Sequence, residues 1–223
     1  MNRSIQFAPD EFYHLYNRGV EKRTIFKDKN DYKRFLTLLY FSNGSRGVAI
    51  AELKRSGKKY DDFFMLEKGE RLVNIGAYCI MPNHFHILVQ ERRENGVSEF
   101  MKKLSTGYSM YFNLRYKRTG SLFESTFKAT HVDDDRYLKY LYAYIHLNPV
   151  KIIDPKWKEN GIRSRNTAKR YLDGYQYSSY LDFMGHNRLE GNILGRDSFP
   201  SYFSEQNSFQ GYIDDWLDYT NNT

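Results

Sequence analysis

Apolar and polar positions along the chain change period several times, and each change predicts a new element. Tyr13-His14-Leu15-Tyr16-Asn17 reads as a first strand, closed by Arg18-Gly19. With Asn30 or Asp31 as N-cap, Tyr32, Phe35, Leu36, Leu39 and Tyr40 then recur at helical spacing, and Asn43-Gly44-Ser45 ends the run. Residues 43–71 read as a solvated insertion, with a short helical piece at 48–53 and a basic, glycine-containing loop at 54–59. Residues 72–80 and 84–90 are two strand-like runs. Met81-Pro82-Asn83 interrupts them, because proline lacks a ladder donor; one bent strand or a tight hairpin both fit.

A long amphipathic helix follows, capped by Ser98. Phe100, Leu104, Tyr108, Tyr111 and Phe112 line one face, and Gly107 allows close approach to a sheet. Thr119-Gly120 stops it, and 122–132 alternate as a last strand. Asp133-Asp134-Asp135 is an acidic helix start, favourable against the helix dipole. That helix carries Leu138, Leu141 and Ile145 as its core stripe, with Tyr137, Tyr140, Tyr144 and Asn148 along the neighbouring stripe. His146 falls on nearly the opposite side from Tyr144. Asn148-Pro149 ends the helix, since a residue before proline is pushed out of helical geometry. Tyr175 opens another helical segment, closed by Gly185, and an acidic tail packs back on the domain or serves as an arm.

The order strand, helix, strand, strand, helix, strand predicts an α+β fold: a ferredoxin-like antiparallel sheet packed by helices, with a C-terminal helical extension. The division is a domain over 1–150 and an extension over 151–223 packing on it. Such a fold hosts many unrelated activities, so function has to come from the residues.

Composition narrows the field. At 223 residues, 27% charged and 40% hydrophobic, the chain can bury a real core. A net charge of +7 favours a polyanionic partner. The 20 tyrosines and 16 phenylalanines suit either stacking on unpaired bases or an aromatic core. One cysteine, Cys79, excludes an internal disulfide and a multi-cysteine zinc site. Met1-Asn2-Arg3-Ser4-Ile5-Gln6 lacks the apolar core of a signal peptide, and no run is long enough to span a membrane. The expectation is a cytoplasmic, nucleoid-associated protein with no membrane contact.

Candidate chemistry centres on Met81-Pro82-Asn83-His84-Phe85-His86. In a strand His84 and His86 share one face while Phe85 points the other way. Two imidazoles held this way can bind one divalent ion, or they can be polar residues on a wet face. His14 and His146 read as hydrogen-bonded structural residues. By periodicity alone Tyr137, Tyr140 and Tyr144 are equal candidates for a reactive phenol, and Asn148 reads equally as a helix stop.

Taken together, the stretch 78–89, the basic tyrosine-rich helix and Tyr144-Ile145-His146-Leu147-Asn148-Pro149-Val150 resemble the IS200-like, single-tyrosine HUH transposases. The branch they most resemble is that of the REP-associated tyrosine transposases. Tyr175-Gln176-Tyr177-Ser178-Ser179-Tyr180 is similar to that branch's C-terminal extension. The resemblance spans about 13–185 and leaves 43–71 and the tail outside it. It implies that 1–150 is a catalytic domain with Tyr144 as nucleophile and His84, His86 and Asn148 as ligands of Mg²⁺ or Mn²⁺. The implied reaction nicks and rejoins single-stranded DNA beside a hairpin through a 5′-phosphotyrosine. The implied assembly is a monomer, with a dimer as the alternative. Arg18, Lys102, Lys103, Arg115, Lys117, Arg118 and Lys128 are the candidates for phosphate contacts. Two other readings stand beside it: a nucleic-acid-binding protein of the same fold that does not cut, and a small-molecule metalloenzyme, which the basic charge disfavours.

Overall fold

Four strands form one antiparallel sheet in the order β2-β3-β1-β4, with β1 at Phe12–Arg18, β2 at Val73–Met81, β3 at His84–Glu91 and β4 at Lys128–Val132. The computed structural model describes residues 5–203 and 206–218. β2 and β3 make a tight hairpin around Pro82-Asn83. The carbonyl of Pro82 accepts from the amides of Ile25 (2.9 Å) and Phe26 (3.0 Å), which pins the hairpin tip to the chain leaving β1.

The register decides which side chains share a face. Tyr16 lies opposite His86 and Arg18 opposite His84, so His14, Tyr16 and Arg18 stand on the histidine face. Tyr13, Leu15, Phe85, Ile87 and Val89 stand on the other, and all are buried. Helices α1 (Lys29–Ser42) and α3 (Gly96–Arg115) cover that second face. Phe35 of α1 packs on Phe85 (ring centres 4.9 Å apart) and edge-on against Tyr108 of α3 (5.1 Å). Gly107 serves this helix pair: a methyl group there would lie 3.0 Å from Leu38, so the close approach is to α1 rather than to the sheet.

Both helix starts depart from the expected caps. Asp28 caps α1, accepting from the amides of Asn30 (2.9 Å) and Asp31 (3.3 Å). The Asp31 carboxylate is committed elsewhere, to Arg115 (2.6 Å), Tyr111 (2.9 Å) and Tyr116 (2.8 Å). Ser98 lies inside α3; Asn95 begins that helix in left-handed geometry, and Glu91 accepts from the amide of Val97 (3.2 Å). β4 is shorter than 122–132, because 122–127 cross the end of β1, where the Asn17 amide donates to the carbonyls of Ser125 and Thr126 (both 2.9 Å).

Helix α4 (Asp135–Leu147) lies across the histidine face, capped by Asp134. The chain does not leave helical geometry at Asn148 (φ −52°, ψ −39°): Pro149 is helical too (φ −58°, ψ −27°) and is the N-cap of the next helix, where its missing amide costs nothing. The extension then runs through α5 (Val150–Ile153), α6 (Trp157–Asn160), α7 (Arg165–Gly174), α8 (Tyr180–Phe183) and α9 (Gln206–Asp218). Tyr175 does not open a helix. Residues 175–179 turn along the outer edge of β2, bridged at Ser178 to Cys79, with the Tyr177 carbonyl accepting from the amide of Ile80 (2.9 Å) and the Ser179 amide donating to the Tyr78 carbonyl (3.0 Å). An edge strand that would otherwise expose unpaired backbone is covered by the chain's own C-terminal part.

Two further contacts fix the extension. Buried His146 donates from Nδ1 to the Tyr142 carbonyl (2.8 Å) and accepts at Nε2 from the Ser179 hydroxyl (2.7 Å); burial pushes its pKa down to about 3. The acidic tail folds onto the basic segment before it, as Arg165 pairs with Asp214 (2.9 Å) and Asp218 (2.8 Å). Phe209, Ile213 and Leu217 of α9 join the common core.

Candidate active site

Between the histidine face, α4 and α5 lies a cavity of about 700 Å³ whose wall includes His84, His86, Tyr144, Tyr16, Arg18 and Lys128. The rings of His84 and His86 are 5.1 Å apart and nearly perpendicular. The Tyr144 ring stands edge-on at 5.3 Å from His86 and 5.9 Å from His14. Thus β3 and a helix about sixty residues later bring two imidazoles and one phenol together. Of the three stacked tyrosines on α4, only Tyr144 lines the cavity; Tyr137 and Tyr140 continue the stack away from it.

Each imidazole is oriented by a partner. His84 Nδ1 meets Asn83 Oδ1 at 2.6 Å, and the same amide donates from Nδ2 to the Lys22 carbonyl (3.0 Å). The amide oxygen must therefore accept, so the His84 proton sits on Nδ1 and its lone pair on Nε2. His86 Nδ1 meets His14 Nε2 at 2.9 Å. If His86 donates in this pair, its Nε2 too carries a lone pair, and binding a metal there selects that tautomer.

Burial sets the charge state. Desolvation, reinforced by Lys151, lowers His84 to about 4. Desolvation, reinforced by Lys158, lowers His14 to about 4, and burial with its neighbour His14 holds His86 well below the usual imidazole range. At neutral pH all three are uncharged, the form that can ligate a metal. Burial acts on the phenol in the opposite sense, raising Tyr144 above an ordinary tyrosine, while the Asn148 side chain opposes the rise.

The other expected residues divide into two groups. Asn148 is buried one turn beyond Tyr144 but is not part of the cavity wall; its Nδ2 donates to the Tyr144 carbonyl (2.7 Å). Among the described residues no group of three or more His, Cys, Asp or Glu forms a metal cage. Arg18 and Lys128 line the cavity, Arg18 in a two-pronged pair with Glu124 (2.9 and 3.1 Å). Lys102, Lys103, Arg115, Lys117 and Arg118 belong to α3 and its exit, on the other face of the sheet. Arg115 is bound by Asp28 and Asp31, and Lys103 by Glu99 (2.6 Å) and the Gly44 carbonyl (2.9 Å).

Residues 54–148 match the family model described as "Transposase IS200 like". The match takes in the hairpin with both histidines, α3, β4 and α4 as far as Asn148. It begins inside the segment read above as an insertion. Over that stretch the chain is similar to the IS200-like transposases. No curated protein is similar enough in sequence to match. Among solved structures, a REP-associated tyrosine transposase bound to a REP hairpin is similar over 85% of this chain and 90% of its own, with a TM-score of 0.50 and 10% identity. At that identity the likeness is one of fold, and it includes the extension.

The structure adds roles that sequence reasoning did not assign. Asn83 and His14 orient the two imidazoles. The adjacency of Asn83 to His84 was a readable signal; the partnership of His14 was not, since it spans 72 positions. Tyr16 puts a second phenol in the wall, its ring 5.9 Å from His86. Lys151 lines the cavity from α5. Lys158 of α6 sets its ammonium 3.8 Å from the centre of the Tyr144 ring. Burial lowers Lys158 to about 8. Both lysines come from the extension, whose register against α4 no local pattern in the sequence encodes.

Proposed function

We propose that this protein is a transposase of the IS200-like family, which nicks and rejoins single-stranded DNA beside a hairpin, with Tyr144 as the nucleophile and a 5′-phosphotyrosine as the intermediate. The observation that carries this is the meeting of the Tyr144 phenol with the paired, neutral imidazoles of His84 and His86 in one basic cavity. A hairpin as partner follows by analogy with the similar solved structure, whose protein holds one.

The donor set fits a divalent ion. His84 and His86 would hold it through Nε2, with oxygens of the substrate completing the shell, and Mg²⁺ or Mn²⁺ suits such an oxygen-rich arrangement. Bound there, the ion supplies a positive charge that makes the phosphate a better electrophile. The protein's own part is to hold the DNA and prepare the phenol. Lys128 and Lys151 face the cavity and suit the phosphate backbone. Lys158, over the ring face, attracts the π-system of Tyr144 and stabilises the phenolate that forms as the oxygen attacks phosphorus. The attack forms the Oη–P bond and breaks the bond to the 3′-oxygen, which leaves as a free 3′-hydroxyl. The reverse attack by a 3′-hydroxyl rejoins strands and returns the proton to Tyr144.

The test is a covalent adduct on a denaturing gel, using hairpin oligonucleotides with single-stranded flanks and Mg²⁺ or Mn²⁺. Tyr144→Phe should abolish the adduct and keep hairpin binding, while Tyr16→Phe and Tyr140→Phe keep both. An adduct that survives Tyr144→Phe and disappears in Tyr16→Phe would move the nucleophile to β1. Lys158→Gln should slow adduct formation by about tenfold, the size of one lost electrostatic contact to the reacting group. A metal-independent binder that forms no adduct is the alternative reading.

A further inference from the structure

Beside the catalytic cavity is a second hollow of about 410 Å³, walled by Tyr32, Tyr171, Tyr175 and Tyr177, with Pro82 and Ile152 between the two. We propose that this tyrosine-lined hollow binds one unpaired nucleobase of the substrate strand, next to the phosphate that is cut. The inference rests on the DNA-processing reading above and adds a specificity site to it.

Three observations carry it. First, the hollow adjoins the catalytic cavity: Pro82, two positions before His84, and Ile152, next to Lys151, belong to both walls. A strand with its backbone at the histidines therefore brings its neighbouring base to the tyrosines. Second, the rings form a fixed platform. Tyr32 and Tyr177 are stacked with centres 3.8 Å apart, Tyr171 lies 5.8 Å from Tyr175, and the Tyr175 hydroxyl is committed to the Ile80 carbonyl at 2.6 Å. What the platform offers a ligand is aromatic face rather than a set of hydrogen-bonding groups, and every base has a π-face to match. Third, the hollow is open and cationic at its rim. A methyl group added at Gly174 would meet nothing within 4 Å, and exposed Arg170 lines the same wall, with a planar cation suited to a base or a phosphate.

The extension supplies six of these wall residues: Ile152, Arg170, Tyr171, Gly174, Tyr175 and Tyr177. That gives it a task beyond covering the sheet: it reads the strand that α4 processes.

The experiment measures binding, not cleavage, so it stands apart from the nucleophile. Fluorescence anisotropy is recorded for the full chain with a hairpin alone, with hairpins carrying a 5′ or a 3′ single-stranded flank, and with an abasic site moved along each flank. Wild type should lose about tenfold in affinity at one abasic position, within the range found for one base stacked on aromatic rings. Tyr171→Ala should bind the intact flank about tenfold more weakly and be indifferent to that abasic position. Gly174→Leu, which fills the hollow without removing a core ring, should behave the same way; neither change should alter affinity for the hairpin alone. If the abasic penalty is the same in both variants as in wild type, or if no position shows one, the hollow is not a base site. If no hairpin is bound at all, the DNA reading itself fails and takes the inference with it.

Discussion

Both faces of this sheet are covered by helices, and for opposite purposes. On one, Leu15, Phe85, Ile87 and Val89 are fully enclosed under α1 and α3, and aromatic rings fill the space between helices and strands. On the other, His14 and His86 are each only 6% exposed, yet they lie under α4 in a polar, basic setting. Burying the first set removes apolar surface from water and stabilises the fold. Burying the second strips hydration from groups that hydrogen bonds only partly compensate, and the imidazoles respond by giving up their protons. One face holds the protein together. The other is kept costly, and that cost produces neutral imidazoles beside a phenol.

Substitutions on adjacent positions of β3 should separate these roles most sharply. Phe85→Ala opens a cavity in the sealed face and should cost about 3–5 kcal/mol in urea unfolding. His84→Ala, one residue earlier on the partly exposed face, should cost less than about 1 kcal/mol while ending metal-dependent adduct formation. Equal losses of stability from the two changes would mean that the faces do not differ in the way described.

Acid should act through the buried histidines. The folded protein holds His14 and His84 at about 4 and His146 at about 3, whereas an unfolded histidine titrates near 6.5. Between those values the unfolded chain binds more protons, so stability falls as pH drops from about 6.5 toward 4. The slope is at most about 1.4 kcal/mol per pH unit for each histidine. His14→Phe should flatten the curve in this window. A stability that stays level from pH 7 to 5 would show that these imidazoles are not held neutral by the fold.

The same contrast explains how much could be read from the sequence. The sealed face announces itself: the helical repeat of Tyr32, Phe35, Leu36 and Leu39 and the alternation through Phe85, Ile87 and Val89 predict the strands and the helices that cover them. The histidine pair and Tyr144 were legible too, though Tyr144 stood out from Tyr137 and Tyr140 only through a family motif, because helical spacing treats the three alike. What could not be read depends on tertiary contact. Asp31 looked like a cap until three partners from α3 and its exit claimed its carboxylate. Tyr175 looked like a helix start until the edge of β2 offered it a backbone partner. Lys151 and Lys158 sit in a basic stretch with no local pattern to single them out, and only the path of the extension carries them to the phenol.

Asn83 offers a finer test of the polar face. Its side chain ties the Lys22 carbonyl to His84 Nδ1, and Lys22 itself is held in left-handed backbone (φ 58°). Asn83→Ala leaves both histidines in place but frees the His84 ring to turn. Loss of such an orienting partner typically weakens metal affinity by about 10- to 100-fold. Titration with Mn²⁺ by calorimetry or electron paramagnetic resonance should show that loss with little change in the unfolding midpoint. Unchanged Mn²⁺ affinity would remove Asn83 from the ligand-orienting role.

The smallest effects should come from surface lysines, where the two faces can be compared charge by charge. Lys128 lines the histidine cavity, whereas Lys102 and Lys103 sit on α3 behind the sealed face, and Lys103 already pairs with Glu99. A lysine that neutralises one phosphate of a single strand releases about 0.7 counterion, so its loss should reduce the slope of log affinity against log salt by about that amount. Lys128→Ala should therefore flatten the salt dependence of hairpin binding by about 0.7 and weaken binding a few-fold at low salt. Lys102→Ala and Lys103→Ala should leave the slope where it was. Charge alone does not mark a DNA surface on a protein with 34 lysines and arginines; what distinguishes Lys128 is the face it stands on. If the α3 lysines change the slope and Lys128 does not, the strand runs along the helices and the histidine face is not its track.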